Sequence, residues 1–171
     1  MKEGVKLFKH QSGFTLIETL VYLALFTIII GGTMVTVYQV IEASGAQQAK
    51  TILQEEGNFI LAKLNWALTG AIDDTEIASP TLVNSSDRLT INNAPGSTLR
   101  FEADLNNGNI RFNSGGGLFE LNSDRVSVST TTPHIFSQPT DNKIQANFTL
   151  NTLSRQGKLF SQNFELTKYL R

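Results

Sequence analysis

Glu18 sits where charge is expensive. No residue from Thr19 to Ile41 is charged, and no Lys or Arg occurs between Lys9 and Lys50. A carboxylate in a membrane helix costs about 2–3 kcal/mol at the bilayer centre and less near the interface. Its counter-charge must come from outside this chain's own side chains, or from solvent at the interface. Elsewhere the chemistry is sparse. The two histidines are His10 and His134, and the absence of cysteine excludes a disulfide framework and a thiolate metal site. His134 follows Pro133 and is expected in a surface loop. No Gly-x-Ser-x-Gly elbow marks a nucleophile, and Asp73-Asp74 suits a turn near a helix end better than an acid–base pair. Gly115-Gly116-Gly117 has no following Lys, which makes it a loop and not a phosphate cradle. Asp104, Asn106, Asp141 and Asn142 offer oxygen ligands for calcium, but their spacing fits no calcium loop and turn chemistry accounts for them. Asn84-Ser85-Ser86 and Asn147-Phe148-Thr149 fit the glycosylation sequon, as chance allows in a chain so rich in Ser, Thr and Asn. The expectation is a protein that is not an enzyme and needs no cofactor or metal.

The elements around Glu18 are set by the distribution of charge and apolar residues. The 171 residues include 14 Lys+Arg and 15 Asp+Glu. Residues 1–13 hold Lys2, Lys6 and Lys9 against Glu3, which leaves 11 basic and 14 acidic residues in the remainder. Such a mildly acidic remainder, without basic clusters, presents no clear nucleic-acid patch. After the short basic segment the chain is apolar from Phe14 to about Val40, and roughly 20 such residues cross a bilayer. Lysines on the N-terminal side predict a cytoplasmic N-terminus and an exported C-terminal domain. Two other readings compete. A buried core helix is disfavoured by the length of the uncharged run. A secretory signal cut near Ser44-Gly45-Ala46 is disfavoured because such h-regions span about 7–15 residues, and Glu18 would be out of place in one.

The run Gly13-Phe14-Thr15-Leu16-Ile17-Glu18, leading directly into an apolar helix, resembles the processing motif of type IV prepilins and type II secretion pseudopilins. The resemblance implies that a membrane aspartyl peptidase cuts after Gly13 and that Phe14 becomes N-methyl-phenylalanine. Glu18 matches the family's glutamate, which pairs with the N-terminal amine of a neighbouring subunit. Cleavage would thereby supply the missing cation. The chain departs from the family pattern at Val35, where many pilins have proline; it carries Gly31-Gly32 instead. Each glycine weakens a helix by about 1 kcal/mol, so the pair predicts either local loosening or close approach of another helix. A looser similarity at Leu118–Val126, with two strands after it and a terminal Leu170-Arg171, is to minor pilins or J-type pseudopilins.

Beyond Ile41 the pattern turns amphipathic. Ile52, Phe59 and Trp66 recur every seven residues beside Leu53, Ile60, Leu64, Leu68 and Ala71, which predicts a helix lying on a sheet and ending near Gly70–Asp74. Trp66 is expected in the core. Short strands are predicted at 88–91, 98–103, 109–112, 118–121, 126–129, 144–153 and 159–169, with a hairpin turn at Asn106-Asn107-Gly108. The expected fold is α+β and pilin-like, with a long N-terminal helix, membrane-spanning in its first half, packed on a C-terminal antiparallel β-sheet. Its segments are a leader at 1–13, a transmembrane or filament-core helix at 14–41, an amphipathic helix at 42–74 and a β-rich domain at 75–171. The expected function is that of a structural subunit, a minor pilin or pseudopilin. The alternative is a membrane-anchored β-rich binding module that never polymerises. Implied partners are the prepilin peptidase, other pilin or pseudopilin subunits, the inner-membrane assembly machinery and membrane lipid. The expected location is the inner membrane as a single-pass protein, then the cell surface after assembly. Twitching pili, DNA uptake, adhesion and protein secretion all stay open as the system served.

Overall fold

The computed structural model describes residues 13–71, 77–79, 84–94, 97–140 and 142–170. Helix α1 runs from Leu16 to Gly70. It is followed by strands β1 (Ile77–Ser79), β2 (Asn84–Ser86), β3 (Arg88–Ala94), β4 (Ser97–Asp104) and β5 (Asn109–Asn113). Then come β6 (Leu118–Glu120), β7 (Val126–Ser129), β8 (Phe136–Thr140), β9 (Lys143–Leu153) and β10 (Leu159–Tyr169). The chain divides into two units, residues 1–42 and 43–171.

The first unit contains the apolar part of α1. This part is long and apolar enough to cross a membrane, and its most apolar window has no buried residue. Its polar side chains are hidden against its own backbone. The hydroxyls of Thr19, Thr27, Thr33 and Thr36 donate to carbonyls three or four residues earlier, at 2.8–3.0 Å. Such bonds remove hydroxyl donors that hydrocarbon could not satisfy. The helix continues through Gly31-Gly32 without a break, and no other atom stands within 4 Å of where side chains there would begin.

In the second unit the rest of α1 and the strands enclose one core. The buried positions on the helix are Ala49, Leu53, Gly57, Ile60, Leu64, Ala67 and Leu68. These steps of three and four residues make a single face. The heptad of Ile52, Phe59 and Trp66 lies beside that face. Ile52 is partly buried, but Phe59 and Trp66 are 52% and 57% exposed, which corrects the expectation that Trp66 lies in the core. At about 100° per residue, positions 59 and 66 are turned away from Ile60 and Ala67. Trp66 instead meets the edge of Phe112, with ring centroids 6.4 Å apart, and the Lys63 ammonium stands 5.0 Å from its ring centre.

The antiparallel strands form two five-stranded sheets. One has the order β1-β3-β4-β5-β6; the other has the order β10-β9-β8-β2, with β7 also paired to β9. Strand β9 organises the second sheet. Along its whole length it pairs with β10, from Leu153↔Leu159 to Lys143↔Tyr169. Its other edge is shared, β8 pairing near Ala146 and β7 pairing from Thr149 to Thr152. Ile144, Ala146, Phe148 and Leu150 point into the core. Across the ladder Phe148 stacks on Phe164 of β10, with centroids 5.6 Å apart. Gly57 lets that ring reach the helix, because a Cβ at position 57 would collide with Cζ, Cε1 and Cε2 of Phe164.

The two sheets meet at buried Asn122. Its Oδ1 accepts from Ile110 N–H at 2.8 Å, and its Nδ2 donates to Gly108 O at 3.1 Å and to Val126 O at 2.6 Å. The β4–β5 hairpin turns through Asn106-Asn107-Gly108, with Gly108 at φ 70°. Gly108 also receives Val128 N–H at 2.7 Å, and a Cβ there would stand 2.9 Å from Ser127 Cβ.

Candidate functional site at the helix N-terminus

The sequence motif from Gly13 to Glu18 folds into the start of α1. Thr15 is the N-cap. Its Oγ1 accepts the Glu18 backbone N–H at 3.3 Å, and its carbonyl accepts Thr19 N–H at 3.2 Å. Thr15-Leu16-Ile17-Glu18 has the spacing of a capping box, in which a threonine and a glutamate three residues later serve the free amides of the first turn. A carboxylate in that turn also opposes the positive end of the helix dipole. Local backbone physics therefore gives Thr15 and Glu18 one reason for being where they are.

Glu18 has a further contact. The Tyr22 hydroxyl donates to Glu18 Oε1 at 3.3 Å. The Tyr22 ring also meets Phe14 edge-on, with centroids 6.2 Å apart and planes at 76°. Residues 18 and 22 are four apart on one side of the helix, and Phe14, just before the N-cap, reaches Tyr22 there. Phe14 itself is 74% exposed. Glu18 is partly exposed, and among the described residues it makes no ion pair. Thr15 and Tyr22 are the residues that the sequence reading misses. The threonine–glutamate spacing is a signal that could find Thr15, whereas Tyr22 is indistinguishable by sequence from any aromatic in an apolar run.

The space at Gly13 is informative. No atom among the described residues lies within 4 Å of a Cβ placed there. No described residue demands glycine at position 13.

The other candidates do not gather into a site. Asp104 belongs to the β4–β5 turn: its carboxylate accepts Asn107 N–H at 3.2 Å and Asn107 Nδ2 at 2.7 Å, and Arg111 stands 3.0 Å away. The hydrogen bonds from Asn107 hold its pKa below the ordinary 3.8, helped by the Arg111 charge. Asp141 lies outside the described residues. His134 faces Asp87 at 3.3 Å. Among the described residues, no three His, Asp or Glu side chains come together as a metal site would require.

The fold and the N-terminal site together define a class: a long helix, apolar and exposed at its start, carrying an antiparallel β domain. Within that class the sequence comparison is specific, since residues 8–34 match the prokaryotic N-terminal methylation motif. That motif is the prepilin signature of type IV pilins and pseudopilins, and the chain carries it on a pilin-like α+β arrangement. No curated protein and no solved structure matches the chain. The signature supports a type IV pilin-like exported protein and points to a structural subunit rather than an enzyme. It implies processing by prepilin peptidase and association with other pilin subunits, and with the apolar helix it suggests membrane anchoring.

Proposed function

We propose that the chain is a minor subunit, a minor pilin or pseudopilin, of a type IV pilus or a type II secretion-like filament. The peptidase removes residues 1–13 by cutting between Gly13 and Phe14, and Phe14 is methylated on its new amine. The chain is held in the inner membrane by residues 14–41, with the N-terminus cytoplasmic and the β domain exported. Assembly moves that helix from lipid into a bundle of like helices. There Glu18 pairs with the Phe14 amine of an adjoining subunit and sets the axial register.

The observation that carries this reading is the methylation motif at 8–34, which runs into a helix whose apolar part is unburied among the described residues. The open space at Gly13 adds support, because a glycine that packing does not require is explained by a peptidase that does. So does Glu18, an acidic group among apolar ones with no cation of its own. Burying it beside an ammonium is costly to undo; loss of one partner of such a pair costs about 3–5 kcal/mol.

Mass analysis of the protein from its native host tests the first step. Wild type is expected to have the mass of residues 14–171 plus one methyl group, and Gly13→Val is expected to keep the leader. Glu18→Ala and Glu18→Gln are expected to be processed yet to enter filaments at least about a hundredfold less well, from the cost above. A wild-type protein retaining residues 1–13 would speak for a tethered module that does not polymerise. Unchanged filament yield in both Glu18 variants would remove the proposed register contact.

A further inference from the structure

The turn end of the β9–β10 hairpin exposes apolar and basic side chains together. Leu153 and Leu159 face each other across the ladder at the start of the turn, and they are 64% and 61% exposed. Between them lie Arg155 and Lys158, both exposed. A nearby exposed residue, Arg125, adds a third positive charge, and Asp124 is the acidic side chain beside it. Among the described residues Arg125, Arg155 and Lys158 make no ion pair. Lys158 stands 5.8 Å from the centre of the Phe160 ring.

The turn is rigid, so these side chains are displayed rather than loose. Buried Ser154 accepts Gln156 N–H at 3.3 Å and Lys158 N–H at 3.2 Å on its hydroxyl oxygen. Its own N–H donates to Lys158 O at 2.9 Å, and its carbonyl accepts Gly157 N–H at 2.9 Å. Gly157 takes φ 78°, which only glycine adopts without strain.

The turn lies close to α1 at Gly45. Gln156 Oε1 stands 3.6 Å from where a side chain on Gly45 would begin. Gly45 is four residues beyond Ile41, the last residue of the uncharged run, and four residues span at most about 14 Å. Chain connectivity alone therefore keeps the Gln156 side chain within about 20 Å of Ile41. Two exposed leucines flanked by unpaired cations suit an interface where apolar groups enter the acyl boundary and cations meet phosphates. The cleft of about 670 Å³ between this hairpin and residues 45–52 of α1 has Arg125 and Arg155 in its wall.

We propose that the β9–β10 hairpin is a docking surface for the anionic lipid headgroups of the membrane that anchors the chain. The unassembled subunit rests this tip on the bilayer, with Leu153 and Leu159 at the acyl boundary and Arg155 and Lys158 on lipid phosphates. This inference rests on the membrane anchoring proposed above.

The chain has no cysteine, so a single introduced one takes a nitroxide at a unique site. The full chain carries the label at Leu153→Cys in vesicles of phosphatidylcholine, alone or mixed with phosphatidylglycerol. Collisions with oxygen and with a water-soluble nickel chelate report its surroundings. A label at Val35→Cys reports the anchor, and one at Ser114→Cys reports a loop following Phe112, which packs by Trp66. Within the second unit Trp66 is about 31 Å along the helix from Gly45. In the mixed vesicles the label at 153 is expected to be shielded from nickel and open to oxygen, while the label at 114 stays in water. Each basic residue at an anionic surface is worth about fivefold, so Arg155→Gln with Lys158→Gln is expected to lower the docked-to-undocked ratio about thirtyfold. A label at 153 that stays in water while the label at 35 is in lipid overturns the docking surface and leaves the anchor standing. Water exposure at both sites overturns the anchor, and the docking surface with it.

Discussion

Asn122 carries more of the fold than its chemistry announces. Its side chain replaces backbone pairing where the first sheet meets the second, joining Ile110, Gly108 and Val126. A buried polar group left without its partner costs about 1–3 kcal/mol. Asn122→Ala is expected to destabilise the protein by about 3 kcal/mol in denaturant unfolding of the detergent-solubilised chain. Asn122→Asp keeps the acceptor for Ile110 but sets a carboxylate against two carbonyls, so it is expected to rescue nothing. An Asp variant as stable as wild type would show that the Nδ2 donors are dispensable. Nothing in the local pattern Leu121-Asn122-Ser123 marks that asparagine as buried. Its role depends on strands that approach from elsewhere in the chain. Glu18 is the opposite case. Its meaning is local, an acidic residue within an apolar run, and so it is visible in the sequence.

At the scale of elements, the closest fit is between α1 and β10. Alanine usually strengthens a helix relative to glycine by about 1 kcal/mol. At Gly57 the sign is expected to reverse, because the added Cβ meets the Phe164 ring, which is itself stacked on Phe148. Gly57→Ala is expected to cost about 1–3 kcal/mol, as overpacked cores do, and Gly57→Leu more. Thermal unfolding followed by circular dichroism checks this; a raised midpoint for the Ala variant would mean that the ring moves aside freely. The helix and the long strands are legible because their patterns are periodic: Ile144, Ala146, Phe148 and Leu150 alternate as a one-faced strand must. Three strands are not. Strands β1 and β2 have three residues each, and β2 is Asn-Ser-Ser, without an apolar residue. Strand β8 contains Pro139, which argues against a strand. The structure accommodates it where the β8–β9 register shifts, between Ser137 and Thr140. Heptad spacing groups Phe59 and Trp66 with the core residues, although the buried face passes beside them.

At the scale of the whole molecule, the two units draw on different solvents. Among the described residues, no core residue precedes Leu53 in the cluster formed by helix and sheets. A chain beginning at Ala43 is expected to fold without detergent and to unfold cooperatively, within about 1 kcal/mol of the full chain, since it keeps every core residue among the described residues. Loss of cooperative unfolding in that truncation would show that the apolar segment supports the domain. Periodicity reveals which side of each strand faces inward, yet it cannot reveal that the strands divide between two sheets. That division follows from long-range pairing, above all from the shared edge of β9.

The glycine loop between β5 and β6 has a practical consequence. Among the described residues, no atom beyond the chain neighbours comes within 4 Å of a Cβ built at Gly115, Gly116 or Gly117, and the strands on either side are already joined by their own ladder. A short peptide epitope spliced in at Gly116 would hang from the domain without prying it open. Antibody-bound gold on that handle would then show whether copies enter a fibre and, if so, whether at its base or tip.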